Sequence, residues 1–561
     1  MRTRDLTHAS VTRPPESSTG LGPAPVFARL TGSAALATIL MGLAAAGLAG
    51  GQASRAHLDA PVSSQSPASR ANRSDLAAVF ADIDRLFTEQ ARAMHAPGAA
   101  WGVVLDGRLA HWGATGVRDV EAGAPVDADT VFRIASMTKS FTALAVLQLR
   151  DEGRLSLDDP VERYVPELAG LRYPTADSPR ITIRHLLTHG AGFPEDNPWG
   201  DRQLARTEED FTRMLRSGIP FSNPPGIAYE YSNYGYAILG RVVSQVSRRP
   251  YEAYLEERIL RPLGLAATTL HPSKVPAARR ARGYRWEDGR WIEEPVLEHG
   301  AFGAMGGLLS SIRDLARYIA VFLDAWPPRD EPERGPLGRA SLREMQQPWR
   351  RSGLRASVDR TRGTLELAAS AYGYGLGITE TCDFRALVGH SGGLPGYGSH
   401  MRWLPDYGAG IVVLSNLTYA NWARTAAEAL GRLVRGAGLR PRAPQPSPAL
   451  VAMRDAVSRL IDHWDDELAD RIAADNLFLD RSKERRRREI ETLGASVGRC
   501  RPPAGFDEVE NALRGAWTLE CERGRLRVAV TLAPTSPPAV QYLDVRPAPP
   551  EPPRAATCVV Q

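Results

Sequence analysis

Residues 140–149, SFTALAVLQL, are apolar nearly all round the helix they would form, and this stretch limits the possible folds more than any other. A helix that is apolar on every side must be covered on every side, so it has to run through the centre of a domain. Gly153 stands where a left-handed residue would close it. The mouth of the run is unusual. RIASMTKSF, residues 133–141, places Ser136 and Lys139 at its N-terminal end. The chain holds 69 basic residues, yet only Lys139, Lys274 and Lys483 are lysines. Arginine keeps its proton in proteins, whereas a desolvated lysine can lose it. A cation in a first helical turn opposes the helix dipole, and a capping box would put Glu or Gln at that spacing. Lys139 is therefore read as an amine that must become neutral.

The rest of the composition bounds the problem. At 561 residues the chain exceeds one compact core, so two or three domains are expected. The net charge of +5 is dispersed, which argues against a nucleic-acid partner. The one basic cluster, RSKERRRRE at 481–489, reads as a solvated helix face. After Arg29 no charge appears until Arg55, and the Ala- and Gly-rich core ends in small residues such as Ala49 and Ala53. Residues 1–53 are read as a signal peptide or a membrane anchor, with 54–73 as a flexible Ser/Ala/Pro-rich linker. The remainder is then expected outside the cytoplasm, periplasmic or secreted, with a possible membrane tether. Three of four cysteines, Cys500, Cys521 and Cys558, lie near the C-terminus. A Cys500–Cys521 bridge is plausible in an exported chain, although four cysteines allow three pairings. No CxxC or His/Cys cluster suggests zinc, and no cofactor is expected.

Along the chain, residues 74–94 carry Leu76, Val79, Phe80, Ile83, Leu86 and Phe87 on one helical stripe, with Ser74 as N-cap. AAWGVVLDGRLAHWGATG reads as a hairpin turning at Asp106-Gly107. Residues 155–330 alternate helical patterns with Pro/Gly-rich loops. Strand patterns return at RALVGH (385–390), SHMRWL (399–404) and GIVVLSNL (410–417), and a helix follows from 421. Strands from both ends of 74–436 should complete one sheet, with a helical insertion beside it and a site in the cleft between them. Residues 437–449 form a Pro-rich linker, and 450–561 a small C-terminal α+β accessory domain.

Three motifs carry chemistry. Ser136 and Lys139 are three residues apart, so on a helix their side chains share a face. A buried lysine with a pKa drawn down to ~7–8 can act as the base that a serine nucleophile needs. YEYSNYGYAILG, 229–240, places Tyr231 and Asn233 just before a helical run, a phenol to shuttle the proton and an amide to hold a carbonyl. VGHSGGLPGYGSH, 388–400, matches the G-x-S-x-G nucleophile elbow. An elbow must enter a helix, however, and Pro395, Gly396 and Gly398 would break one. As a strand edge, the same glycines would admit a substrate close to the backbone.

Ser136-Met-Thr-Lys139, Tyr231-Ser-Asn233 and His390-Ser-Gly392, in that order, resemble the three motifs of the serine β-lactamase and penicillin-binding-protein superfamily. Within it the likeness is to the class C β-lactamase-related serine hydrolases, which include D-amino-acid-specific peptidases and family VIII esterases. ITIRHLLTHGAGF, ERILRPLGL and GGLLSSIRDLARY support it, and the likeness spans about 74–436. The resemblance implies an α/β sandwich, an antiparallel sheet flanked by helices, beside a mostly helical second subdomain. It also implies acyl transfer through an acyl-serine. In that scheme Ser136 is the nucleophile, and Lys139 and Tyr231 are the acid/base pair. Asn233 orients substrate, His390 assists Tyr231 or the substrate, and Ser391 and Gly392 belong with them to the substrate-binding set. The N–H groups of Ser136 and Gly393 form the oxyanion hole.

Penicillin-recognising members usually carry a lysine where His390 stands, and a histidine of ordinary pKa near ~6.5 is mostly neutral at pH 7. The departure favours an esterase or peptidase acting on a small ester, amide or peptide. The alternatives are a β-lactamase or D-Ala-D-Ala carboxypeptidase, and a non-catalytic relative that binds peptidoglycan or protein. His185 and His189 in HLLTH have the i, i+4 spacing of zinc ligands, but they lack the glutamate of H-E-x-x-H. They are read as a structural pair beside the active-site loop.

Overall fold

The computed structural model describes residues 73–359 and 364–548. The expected leader at 1–53, nearly all of the linker at 54–73, and Cys558 lie outside the described residues. The hairpin of Gly98–Leu105 and Arg108–Asp119 forms as the sequence predicts. Asp106 and Gly107, at φ 47° and 74°, make the two-residue turn that needs a left-handed backbone at both positions.

Gly98–Leu105 then pairs antiparallel with Ala409–Ser415, so distant segments do close one sheet. In spatial order its nine strands are Ala124–Pro125, Arg108–Asp119, Gly98–Leu105, Ala409–Ser415, Tyr397–Leu404, Leu387–Leu394, Gly377–Thr381, Thr364–Tyr372 and Arg350–Asp359. The central runs GAAWGVVL and AGIVVLS are buried on both faces, which explains why they are apolar without alternation. On one face Trp101, Val103, Ile411 and Val413 meet the helices Arg73–Ala93 and Ala423–Gly436. On the other, Ala100, Val104, Val412 and Leu414 join a large core with the helices Thr138–Asp151, Asn233–Ser247 and Ile312–Asp324.

The apolar run behaves as its composition demands. Every residue from Thr138 to Leu149 is buried. Phe141 stacks on Tyr318 at 3.8 Å between ring centroids. Two expectations need correction. Ser74 lies inside the first helix rather than capping it. Arg350–Asp359, Thr364–Tyr372 and Gly377–Thr381 are strands that no sequence pattern announced. The first carries arginines and both of the first two carry exposed leucines, so no buried face imposes a period of two.

Residues 447–548 build a second core around Val457, Leu460, Trp517, Leu526, Val528 and Val530. Three helices there face a four-stranded antiparallel sheet of Glu508–Asn511, Arg514–Cys521, Gly524–Leu532 and Val540–Pro547. Cys500 and Cys521 form a disulfide. The basic cluster lies on the helix Lys483–Val497, where Arg485 and Arg487 pair with Glu489 and Glu491 one turn on, a solvated face as expected.

Because Phe141 fills the centre of the larger core, Phe141→Ala should lower stability by about 3–5 kcal/mol. A fall in the chemical-denaturation midpoint measures it.

Candidate functional site

The serine and lysine meet where the buried helix begins. Ser136 sits in the tight turn Ala135–Met137, and Lys139 in the first turn of Thr138–Asp151. Ala135 holds φ 49°, a strained left-handed conformation for a residue with a side chain. The turn is pinned from the sheet: Ser399 Oγ donates to the Ile134 carbonyl at 2.9 Å. Gly392 has no room for a side chain, since a Cβ there would lie 2.2 Å from the Ile134 oxygen. Gly392 was expected to contact substrate. In the fold it lets the strand Leu387–Leu394 lie against the serine turn.

Lys139 is fully buried, and its amine has three acceptors: Asn233 Oδ1 at 2.7 Å, the Met305 carbonyl at 2.8 Å and Ser136 Oγ at 3.0 Å. A carbonyl and an amide oxygen can only accept. When the amine is neutral, its two hydrogens are therefore held by Asn233 and Met305, and its lone pair is left facing the Ser136 hydroxyl. Burial pulls Lys139 down to about 7, against the pull of Asp201, Asp196 and Glu195. The Tyr231 ring lies 4.9 Å from the same nitrogen. Burial pushes its phenol well above the usual value, although a hydrogen bond with Ser136 partly offsets that. Near pH 7 the site holds a neutral phenol beside an amine close to its midpoint.

A chain of bonds orients Asn233. Glu195 accepts from Asn197 Nδ2 at 3.1 Å, and Asn197 Oδ1 accepts from Asn233 Nδ2 at 2.6 Å. A carboxylate cannot donate, so the direction of every amide in the chain is set, and Asn233 Oδ1 is turned to Lys139. Asn233 was expected to orient substrate. Its oxygen is committed to Lys139, and one amide hydrogen to Asn197. Asp196 caps the Asn233–Ser247 helix, taking the N–H groups of Asn233 and Tyr234 at 2.7 Å each. Ser232 is the N-cap residue. None of Glu195, Asp196, Asn197 or Met305 was found from sequence, because EDNPWGDRQL has no period and Met305 contributes only its backbone.

The third motif divides across the sheet. The His390 ring lies 6.3 Å from that of Tyr231 and 5.7 Å, edge to face, from that of Tyr372. Its Nδ1–H donates to the Ser391 carbonyl at 2.6 Å, so Nε2 accepts the Tyr372 hydroxyl at 2.8 Å. Burial pulls its pKa down to about 3, with Lys139 adding to the effect. His390 is therefore neutral at physiological pH, in line with the sequence reading. Ser391 differs from its expected role. Its side chain points to the opposite face and bonds His400 Nδ1 at 2.8 Å. Along the strand Leu387–Leu394, Gly377–Thr381 pairs only as far as Leu387–Gly389, so residues 390–394, including Gly393, have no neighbouring strand on that edge among the described residues. The strand leads into a second strand at Tyr397 and not into a helix, as the rejection of the elbow required.

His185 and His189 serve separate ends. His185 completes a capping box with Thr182 on its own helix. His189 Nδ1 accepts the Ser232 N–H at 3.1 Å, with its ring 4.3 Å from that of Tyr231. Asp201, 3% exposed, accepts a hydrogen bond from Tyr419 at 3.1 Å, and burial raises its pKa.

Comparison with known proteins agrees with the geometry. The family model described as Beta-lactamase matches residues 83–435. Beta-lactamase-like protein 2 of Dictyostelium discoideum is 36% identical over 213 residues, covering 37% of this chain and 38% of that protein. Protein flp of Staphylococcus aureus strain COL is 29% identical over 342 residues, covering 60% of this chain and 62% of that protein. The chain thus matches less than two thirds of the length of either relative. In fold it is similar to the octameric penicillin-binding protein homologue from Pyrococcus abyssi, with a TM-score of 0.53 and 24% identity over 81% of this chain and 96% of that one.

Removing the cap with Asp196→Ala should cost about 1–2 kcal/mol of stability. Thermal denaturation should show it, with Asp196→Asn losing less.

Proposed function

The chain belongs to the beta-lactamase family, and we propose that within it this protein is a serine hydrolase that transfers the acyl group of an ester, amide or peptide through Ser136. One observation carries the reading: the buried Lys139 amine lies between two obligate acceptors and Ser136 Oγ, so that once neutral it has its lone pair free for the serine.

A substrate carbonyl enters beside the open edge at residues 390–394. Lys139 takes the Ser136 proton as the oxygen bonds to the carbonyl carbon. The oxyanion is held by the N–H groups of Ser136 and Gly393, so that the charge forms against fixed dipoles. As the bond to the leaving group breaks, Tyr231 gives that group its proton and regains one from the Lys139 ammonium. Water then repeats the sequence in reverse and frees the acid. His390 supports the Tyr372 side of the pocket. Being neutral, it supplies no fixed cation for a substrate carboxylate, which favours esterase or peptidase action over β-lactam turnover.

We place the protein outside the cytoplasm, periplasmic or secreted, with residues 1–53 as its export signal or tether. The Cys500–Cys521 disulfide supports that reading, because such bonds persist mainly in oxidising compartments.

Two experiments test the chemistry. A fluorophosphonate should label the wild type but not Ser136→Ala, and Lys139→Arg should lose turnover of a p-nitrophenyl ester, since arginine cannot give up its proton. Labelling on another residue, or a competent Lys139→Arg, would overturn the scheme. The pH profile follows from the lowered lysine. Below about 7 the amine is protonated and cannot act as base, so the acylation rate should fall about tenfold per pH unit and level off above. A rate that stays flat from acid to base rules out Lys139.

A further inference from the structure

The charges around Ser136 are unequal in number and in duty. Lys139 is the cation that reaches the serine, and catalysis requires it neutral. His390 is neutral. Among the acids, Asp196 spends both oxygens on the helix cap, and Glu195 holds Asn197. Glu294 faces Arg202 at 4.0 Å and Arg285 at 3.6 Å. Asp201 has no such task. The Tyr419 hydroxyl is the one hydrogen-bond partner of its carboxylate among the described residues, although the group is buried.

Its position is defined from two sides. Gly200, the preceding residue, lies so close to Asn233 that a Cβ there would sit 2.7 Å from the Asn233 Cβ. Asp201 is thus anchored beside the amide that holds Lys139, and its charge acts on both Lys139 and Tyr231. Tyr419 packs over the open strand edge, and a Cβ on Gly393 would meet its ring at 2.7 Å. Tyr419 also holds φ 53°, a conformation that a bulky residue adopts only under constraint. The Asp201–Tyr419 bond therefore links the loop beside Asn233 to the residue above Gly393, next to where the acyl part of a substrate must lie.

We propose that Asp201, held by Tyr419, is an ammonium-binding subsite, so that the preferred substrates are aminoacyl esters or amides with a free α-amine. This rests on Ser136 being the nucleophile. An α-ammonium lies two bonds from the scissile carbon, and Asp201 is tied to Asn233 through its neighbour Gly200 and to Gly393 through Tyr419. A buried carboxylate with a spare lone pair gains a charge-assisted bond from such a cation. A substrate carboxylate at the same place would be repelled by Asp201. The subsite thus supplies a positive selection for amines beside the loss of carboxylate recognition at His390.

The test compares kcat/KM for alanine p-nitroanilide, in both enantiomers, with the N-acetylated compounds near neutral pH. The wild type should favour the free amine of at least one enantiomer by about tenfold or more, the scale of one charge-assisted hydrogen bond. Asp201→Asn should bring that ratio close to one, and Tyr419→Phe should lower it in the same direction. Using the ratio removes any effect of Asp201 on the basicity of Lys139, which acts on both substrates alike. Fluorophosphonate labelling of Ser136 without a preference for the free amine, or a preference that survives Asp201→Asn, overturns the subsite and spares the nucleophile. If Ser136 takes no label, both readings fall.

Discussion

The buried amine of Lys139 organises the rest of the site. An ammonium without water around it is unstable, and a neutral amine is stable there only if its hydrogens find acceptors. Asn233 and Met305 provide them from two other segments, 94 and 166 residues along the chain. Each of those groups is itself held. Asn233 is turned by Asn197 and Glu195, and its helix is capped by Asp196. Met305 is presented by the short buried helix Gly303–Gly306. The apolar helix behind Lys139 then has a chemical purpose beyond stability. It excludes the water that would otherwise keep the amine charged.

The sheet supplies the other wall, and its pairing pattern creates the opening. Gly377–Thr381 stops opposite Gly389, which leaves the following residues of the central strand without a partner. Along that strand alternate residues are sent to different faces. His390 goes to the site, while Ser391 goes to His400 and the outer helices. The lowered basicity of Lys139 and the neutrality of His390 share one physical origin, because both nitrogen bases lie in surroundings that disfavour charge.

Much of this was legible in advance. The Ser136–Lys139 spacing, the Tyr231–Asn233 pair and the hairpin at Asp106-Gly107 all follow from local pattern. What misled was role rather than place. Gly392 reads as a substrate contact, yet the Ile134 carbonyl explains why no larger residue fits. Ser391 reads as a site residue because a motif has no faces until it is a strand. The strands Arg350–Asp359 and Thr364–Tyr372 escaped notice because their exposed side chains obey no alternation, and Asp196 and Asp201 because an irregular loop carries no periodic signal.

By itself, the sequence determined a helix buried on all sides with a hydroxyl and an amine at its mouth. Apolar periodicity and a three-residue spacing are local properties, settled by the 3.6-residue turn. Only the tertiary structure decided where the amine's lone pair points, which acid is held by a tyrosine, and which face each residue of the third motif takes. Those depend on acceptors brought together from distant segments, and no local rule specifies such a meeting.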